Sequence, residues 1–233
     1  MDLLYSAANI TQRFTLRLFS DYKVEGRENV PPMGPLLVVS NHMSNMDPPL
    51  LGVSLPRRTW FLAKDNMFRG RGRRLRHWFL TSYGAFPLNR EGTDVRAYRW
   101  ALRKLEQDGA LVVFPEGTRS KTGSMGKGLS GVVRLALKTQ APLIPVAITG
   151  TERLGSWARV FNPTGTIRVK IGTVFSLPSV EGKLSPEVLD SLTETMMRRV
   201  AALLPESYRG VYRDEPVAAA EASVAARDVG NGS

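Results

Sequence analysis

Short apolar runs separated by helical patterns are the feature that most constrains how this chain can fold. The runs that we interpret as strands lie at residues 22–26, 35–40, 59–63, 83–88, 110–114, 143–149 and 166–174. The helical patterns lie at residues 48–54, 72–81, 93–107, 130–140 and 185–203. Helices that alternate with apolar strands indicate a parallel or mixed sheet with both faces covered. The predicted fold class is therefore α/β, with a mixed, largely parallel sheet and helices on both faces.

The N-terminal segment carries a helical repeat of its own. Its apolar residues recur at helical spacing and are Leu3, Leu4, Ala7, Ile10, Phe14 and Leu18. We predict an amphipathic helix within residues 1–21. A helix packed on its own domain is the alternative, but the cluster of arginines at residues 69–76 favours a helix that lies in a membrane interface. A central domain is predicted over residues 22–205. The polar, Ala-rich tail at residues 206–233 is expected to be disordered.

The charge of the chain is strongly positive and partly concentrated in one cluster. The 233 residues have a formal net charge of +11. Five arginines lie close together, namely Arg69, Arg71, Arg73, Arg74 and Arg76. Such a cluster suits a solvated face, a nucleic-acid patch or a contact with anionic lipid. The interleaved Phe68, Trp78 and Phe79 favour a lipid interface, although a platform for single-stranded nucleic acid also uses aromatic residues.

The residue types that the chain lacks limit the chemistry open to it. It has no cysteine, which excludes disulfides, thiolate zinc sites and a covalent cysteine intermediate. Its two histidines, His42 and His77, do not have the spacing of a metal-ligand pair. We therefore predict no metal site and no cofactor.

The heptapeptide at residues 41–47, Asn-His-Met-Ser-Asn-Met-Asp, indicates acid–base chemistry. The imidazole of His42 can take a proton near neutral pH, and the nearby carboxylate of Asp47 can orient the ring and stabilise the imidazolium. A plainer interpretation is also open. Asp47 could simply cap a helix that has Pro48 at its first position, and His42 could be a hydrogen-bonded residue at a strand end.

Three further motifs help to decide between these interpretations. Residues 84–90 form a short apolar segment that ends in Arg90, and residues 111–120 form an apolar strand followed by Pro-Glu-Gly-Thr-Arg-Ser. Residues 143–148 are an apolar run interrupted by a proline. Each motif alone fits a strand end with a solvated charge, but the set is specific in its order and spacing.

With these four motifs the chain resembles the glycerolipid acyltransferases, the family typified by 1-acylglycerol-3-phosphate acyltransferase. The family blocks N-H-x-x-x-x-D, G-x-x-x-x-x-R, F-P-E-G-T-R-S and V/I-P-V/I correspond to residues 41–47, 84–90, 114–120 and 144–146. The resemblance covers roughly residues 22–175. It implies that residues 22–205 are a catalytic domain that moves a fatty acyl group from an acyl thioester to the hydroxyl of lysophosphatidic acid, giving phosphatidic acid for phospholipid synthesis.

The resemblance also implies roles for individual residues and partners. His42 would be the general base and Asp47 would orient it, while Arg90 and Arg119 would bind the acceptor phosphate. Glu116, Gly117 and Thr118 would complete the substrate site, with Glu116 either contacting the glycerol unit or bracing an arginine. The acyl donor would be acyl-CoA or acyl carrier protein. The expected location is peripheral, on the anionic cytoplasmic face of the cell membrane, with no nucleic-acid partner.

Two other function classes were compared with this one. A hydrolase with a Ser-His-Asp triad is disfavoured because the sequence contains no G-x-S-x-G elbow. A basic nucleic-acid-binding protein would account for the charge, but it gives no reason for His42, Asp47 and Glu116.

Overall fold

A computed structural model describes residues 2–70, 72–92, 94–155, 157–178 and 184–213. Within these ranges seven strands form one sheet, and in chain order they are β1 (Ser20–Glu25), β2 (Leu36–Ser40), β3 (Thr59–Lys64), β4 (Ala85–Leu88), β5 (Ala110–Val113), β6 (Leu143–Thr149) and β7 (Gly165–Ile171). The spatial order is β1-β7-β6-β2-β5-β3-β4. Neighbours pair in parallel except β6 and β7, which are antiparallel.

In the described part of the chain, six α-helices connect and cover these strands. They are α1 (Asp2–Phe19), α2 (Asp47–Ser54), α3 (Arg73–Tyr83), α4 (Val95–Glu106), α5 (Gly131–Thr139) and α6 (Pro186–Ala202). Short 3-10 helices include Glu152–Leu154, Glu206–Tyr208 and Gly210–Tyr212. The predicted fold class, with a largely parallel sheet and an N-terminal helix, is confirmed.

The central strand β2 shows why the sheet must be covered on both sides. All five of its residues are buried, as expected for a strand inside a parallel sheet. Leu37 and Val39 belong to one core cluster, which includes residues of α4, α5 and α6. Leu36 and Val38 belong to a second cluster, which includes residues of α1 and α2. Alternate side chains of one apolar run therefore serve two cores.

The face of α1 that packs on the domain carries both apolar and polar residues, since Tyr5 and Leu16 are buried in the second core cluster. Asn9, Gln12 and Thr15 are buried, and the Asn9 side-chain nitrogen donates to the Gly52 carbonyl oxygen at 3.3 Å. The apolar residues Leu3, Ile10, Phe14 and Leu18 are exposed, with Leu3 at 84%. The predicted helix therefore does pack on its own domain, but its predicted apolar stripe faces outward.

The helix after the heptapeptide begins at Asp47, within one residue of the predicted start, and Met46 is its N-cap. The plainer interpretation of Asp47 as the capping residue is therefore wrong. The tail predicted from residue 206 starts too early, because residues 206–208 and 210–212 form 3-10 turns and Tyr212 is buried. Its side chain packs in the core with α6, which an isolated tail could not do. The remainder of the predicted tail, residues 214–233, lies outside the described residues, as does Arg71 of the arginine cluster.

None of the helices that the structure describes combines the length and the apolar character needed to cross a bilayer.

Candidate active site

The candidate site lies at the edge of the sheet where three parallel strands end. The strand β2 pairs with both β5 and β6, and Val39 lies opposite Val113 on one side and Pro145 on the other. The chain segments that leave β2 and β5 are residues 41–47 and 114–120, so parallel pairing brings the first and third motifs together. Crevices at the carboxyl ends of strands are the usual ligand sites of open α/β sheets.

His42 and Asp47 form a buried pair at this edge. The His42 Nδ1 lies 2.8 Å from Asp47 Oδ2, and the Asp47 side chain is fully buried. The same oxygen accepts hydrogen bonds from the backbone N–H groups of Met43 at 2.6 Å and Ser44 at 2.7 Å. Because a carboxylate oxygen accepts, we assign the His42 proton to Nδ1, and Nε2 is then the ring nitrogen that can take a proton.

The backbone of His42 is tied to the third motif at both of its polar groups. Its N–H donates to Glu116 Oε1 at 3.0 Å, and its carbonyl oxygen accepts from the Ser120 N–H at 2.7 Å. The imidazole also stacks on Phe114, with ring centroids 4.1 Å apart. The first and third motifs therefore act as one rigid unit around the ring.

Glu116 links this unit to the loop that follows it. Its second oxygen, Oε2, accepts from the Gly126 N–H at 2.8 Å. Burial raises the pKa of Glu116 above its usual value, while the backbone donors of Gly126 and His42 act in the opposite direction. Both observed contacts are to backbone groups and neither is to an arginine. These contacts do not support the expectation that Glu116 braces an arginine, and the expected contact with the glycerol unit stays a prediction.

The loop after the third motif is itself held by the 3-10 turns near the C-terminal end of the described chain. The Met125 N–H donates to the Tyr208 carbonyl oxygen at 2.8 Å, and the Gly128 N–H donates to the Tyr212 hydroxyl at 3.0 Å. We call residues 206–212 the bracing segment. It supports the loop from which Gly126 reaches Glu116.

Arg90 and Arg119 lie close enough to affect one another. Loss of water around the guanidinium and repulsion from Arg119 both lower the pKa of Arg90. Both side chains are exposed, and within the described part of the chain neither is paired with a carboxylate. Two neighbouring guanidinium groups without a carboxylate partner suit the binding of an external anion such as a phosphate.

Gly117 and Thr118 lie in the turn between Glu116 and Arg119. Gly117 has a φ of +68°, and a Cβ at this position would lie 2.8 Å from Leu129 Cδ1. The positive φ would strain any other residue here, so the tight turn depends on glycine, whereas the end of the exposed Leu129 side chain could move aside. The Thr118 side chain is exposed.

Asn41 lies in the first motif, but the sequence alone did not indicate a role for its side chain. Its side-chain nitrogen donates to the Ile148 carbonyl oxygen at 2.8 Å, and its side-chain oxygen accepts from the Ile148 N–H at 2.8 Å. The amide thus continues the pairing of β2 with β6 by one step. No pattern of neighbouring residues predicts this contact, because the partner is 107 positions away in the sequence.

His77 and the fourth motif do not contribute to this cluster of side chains. His77 lies on the exposed side of α3 with its ring 5.5 Å from that of Phe68. Residues 144–146 are buried in β6, where they contribute to the sheet and its cores. Across the described ranges, no group of three or more His, Asp or Glu residues could hold a metal ion.

Comparison with known proteins places the chain among acyltransferases. The sequence profile of the Acyltransferase family matches residues 21–149, more than half of the chain. The 1-acyl-sn-glycerol-3-phosphate acyltransferase alpha of Mus musculus is 31% identical over 179 residues, which is 75% of this chain and 62% of that protein. The 1-acyl-sn-glycerol-3-phosphate acyltransferase of Bacillus subtilis is 28% identical over 192 residues, 81% of this chain and 90% of that protein.

A solved structure agrees with the sequence relatives. The crystal structure of the 1-acyl-sn-glycerophosphate (LPA) acyltransferase from Thermotoga maritima matches with a TM-score of 0.63 and 33% sequence identity. The match covers 82% of this chain and 75% of that one. Coverage of other relatives is lower, and the chain spans 41% of the chloroplast enzyme of Brassica napus.

Proposed function

The chain belongs to the acyltransferase family, and we propose that it moves a fatty acyl group from an acyl thioester to the free hydroxyl of lysophosphatidic acid. The acceptor oxygen forms an ester bond with the acyl carbonyl carbon, and the carbon–sulfur bond of the donor breaks. The products are phosphatidic acid and a free thiol. The names of the relatives, which refer to this acceptor, support this choice of substrate.

The observation that carries the proposal is the buried pair of His42 and Asp47. In the proposed mechanism Nε2 of His42 takes the proton of the acceptor hydroxyl as the oxygen attacks, and the imidazolium that forms is stabilised by Asp47. The same proton can then pass to the departing thiolate. Because the backbone of His42 is fixed by Glu116 and Ser120, the base is held in place before the substrate arrives.

We assign the acceptor phosphate to Arg90 and Arg119. Each guanidinium offers a planar set of donors that matches two phosphate oxygens. A dianionic group between them would also relieve the repulsion that lowers the pKa of Arg90. Glu116 then acts by holding the backbone of the base, and its neighbour Gly117 keeps the turn that presents Arg119.

We further propose that the enzyme works on an anionic membrane surface through α1 and α3. The helix α3 contacts α1. Its Leu75, Trp78 and Phe79 are exposed, as is the outward apolar stripe of α1. Exposed arginines lie just before α3 and in its first turn, at positions 69, 73, 74 and 76. A monomeric protein rarely exposes a continuous apolar surface unless that surface has a partner. Lipid suits it, because apolar residues beside arginines match acyl chains beside anionic headgroups.

The reaction is tested by measuring free thiol from acyl-CoA and from acyl carrier protein, with and without lysophosphatidic acid. We expect thiol release to depend on the acceptor and phosphatidic acid to appear in equal amount. Release without the acceptor would indicate a thioester hydrolase. The two donors, run in parallel, identify which thioester is used.

The role of the base is tested by replacing the two histidines separately. We expect His42→Ala to lose at least about 10²-fold in turnover, because proton transfer by a positioned base contributes about 10² to 10⁴ in rate. His77→Ala is the matched control and should keep wild-type turnover, since His77 is exposed on α3. Near-normal turnover of a folded His42→Ala protein would contradict the mechanism.

A further inference from the structure

The carboxylate of Asp47 has a second anchor that none of the four motifs contains. The Thr151 hydroxyl donates to Asp47 Oδ1 at 2.6 Å across 104 positions of sequence. Both residues are 0% exposed. We propose that Thr151 is a positioning residue, which acts on the reaction by fixing and stabilising Asp47 behind His42. This inference rests on the proposed function.

The two oxygens of Asp47 have different partners. Oδ2 accepts hydrogen bonds from Nδ1 of His42 and from the backbone N–H groups of Met43 and Ser44. Among the described residues, the donor that the structure places on Oδ1 is the Thr151 hydroxyl. With both oxygens held, the carboxylate cannot rotate about its Cβ–Cγ bond without breaking a charge-assisted hydrogen bond.

The backbone around Thr151 is built to deliver this hydroxyl. Gly150 comes directly after β6 with a φ of +88°, and a Cβ there would lie 1.9 Å from the Thr166 carbonyl oxygen. Only a glycine permits this sharp exit from the strand. The Glu152 carboxylate then stabilises the turn through two hydrogen bonds. It accepts one from the Gly150 N–H at 3.0 Å and one from the Tyr208 hydroxyl at 2.8 Å.

Removal of the hydroxyl would leave a buried carboxylate oxygen without a donor. An unsatisfied buried acceptor is costly, and the cost is greatest when the group is charged. The carboxylate would then be held through Oδ2 alone and would be free to tilt relative to the imidazole of His42. A tilted carboxylate would stabilise the imidazolium less well in the transition state, while the binding of substrates would change little. The effect should therefore appear in kcat rather than in KM.

The first test compares two substitutions of Thr151 with a control. Thr151→Val keeps the shape and loses the donor, and we expect kcat to fall about 10-fold to 100-fold with KM for both substrates within about 2-fold. Thr151→Ser keeps the donor and should retain most of the wild-type kcat. The control is Thr193→Val in α6, because Thr193 is also buried but its hydroxyl donates to a helix carbonyl oxygen, that of Leu189. Wild-type kcat in Thr151→Val, or an equal loss in Thr151→Ser, would overturn the proposal.

The second test asks whether Thr151 acts through Asp47. In an Asp47→Asn background, Thr151→Val should cost less than about 3-fold, because the carboxylate that it supports is gone. Equal costs in the two backgrounds would assign Thr151 a purely structural role and refute the inference. If Thr151→Val does not fold, Thr151→Ala replaces it, and wild-type turnover of that protein would be equally decisive.

The inference and the proposed function can fail separately. If His42→Ala is as active as the wild type, the proposed mechanism fails. If His42→Ala is impaired and Thr151→Val is not, only the role of Thr151 is wrong.

Discussion

At the scale of single residues, the site is organised around His42. Its N–H, its carbonyl oxygen and its Nδ1 are all engaged, by Glu116, Ser120 and Asp47. Stacking on Phe114 restricts the ring further. Placing a base in one orientation before substrate binds removes an entropic part of the barrier. Substitutions that loosen any of these contacts should therefore act on the rate even though they do not touch the substrate.

Also at the residue scale, substitution of Arg90 or Arg119 should weaken the binding of the acceptor and leave the binding of the acyl donor nearly unchanged. We expect Arg90→Ala and Arg119→Ala each to raise KM for lysophosphatidic acid at least about 10-fold while KM for the acyl donor changes little, since a lost bond to a charged group costs about 1.5–3 kcal/mol. Steady-state kinetics with each substrate varied in turn measures this. Arg→Lys should rescue only in part, because an ammonium lacks the planar pair of donors.

A charge-matched control makes this prediction specific. Arg134 lies exposed on α5, so Arg134→Ala removes the same charge from another element. Its kinetics should match the wild type. An equal rise in KM for donor and acceptor in the Arg90 or Arg119 variants would contradict the phosphate assignment.

Which site residues the sequence could predict depends on how local their contacts are. His42 and Asp47 are five positions apart and joined by one turn, so a short motif contains their interaction. Asn41 and Thr151 bond to partners 107 and 104 positions away, and no local pattern records such a contact. Glu116 lies between these cases. Its motif marked it as important, but whether its carboxylate meets substrate, arginine or backbone depends on how two loops meet.

At the scale of elements, Asp94, the N-cap residue of α4, also stabilises the loop that carries Arg90. Asp94 Oδ1 accepts from the N–H groups of Arg96 and Ala97 at the start of α4. Asp94 Oδ2 reaches back to the Asn89 N–H at 2.9 Å. One carboxylate therefore both begins the helix and closes the loop next to Arg90.

Replacement of this cap should destabilise the protein in a pH-dependent way. Asp94→Ala should cost about 1 kcal/mol at pH 7, a loss typical of an N-cap, which lowers Tm by about 2–4 °C. The N–H of Asn89, followed by that of Ala97, holds the pKa of Asp94 below its ordinary value of 3.8. The carboxylate therefore stabilises the fold above pH 3.8, and this contribution disappears as the pH falls through the lower folded-state pKa. Thermal unfolding at several pH values should show the two proteins converging in acid.

The control for the cap is Asp94→Asn, which keeps an acceptor for the helix N–H groups and removes the charge. It should be closer to the wild type than Asp94→Ala at pH 7. A difference between wild type and Asp94→Ala that stays constant from pH 7 down to pH 2.5 would show that the charge plays no part.

The positions of strands and helices were easier to predict from the sequence than which of their faces are buried. Uninterrupted apolar runs such as Leu36–Val39 fit a fully buried strand, and β2 lies there. For α1 the same reasoning located the helix but could not say which side meets the domain. The buried side combines apolar residues with polar contacts, such as the hydrogen bond of 2.9 Å from the Tyr83 hydroxyl to Asn9 Oδ1, and hydrophobic periodicity does not detect the polar contacts.

At the scale of the whole molecule, the outward apolar surface predicts peripheral binding to anionic bilayers. Deletion of α1 is a poor test, because Tyr5 and Leu16 are part of the second core. The better variant replaces the exposed Ile10, Phe14 and Leu18 by Ser. We expect it to bind anionic liposomes much more weakly in co-sedimentation while keeping the wild-type Tm, since each replaced side chain loses apolar area that would otherwise enter the bilayer.

Two further variants separate the contributions to membrane binding. Arg73→Gln with Arg74→Gln should weaken binding at low salt and matter less at high salt, because screening acts on charge and each arginine near the surface contributes about 1 kcal/mol. Met33→Ser with Phe161→Ser removes exposed apolar residues outside α1 and α3, and should leave binding unchanged. If all of these proteins sediment alike, the membrane surface has been misassigned, although the acyl transfer could still hold.

The position of the bracing segment has a consequence for how the protein matures during synthesis. Its residues leave the ribosome about 80 positions after Met125, a delay on the order of 4–16 seconds at about 5–20 residues per second. Until then the loop that presents Gly126 to Glu116 lacks its support from Tyr208 and Tyr212. Because α1 is made long before this segment, the helix that we propose to contact lipid is complete well before the loop around Gly126 is held. On the roles proposed for α1 and His42, membrane contact would precede completion of the active site.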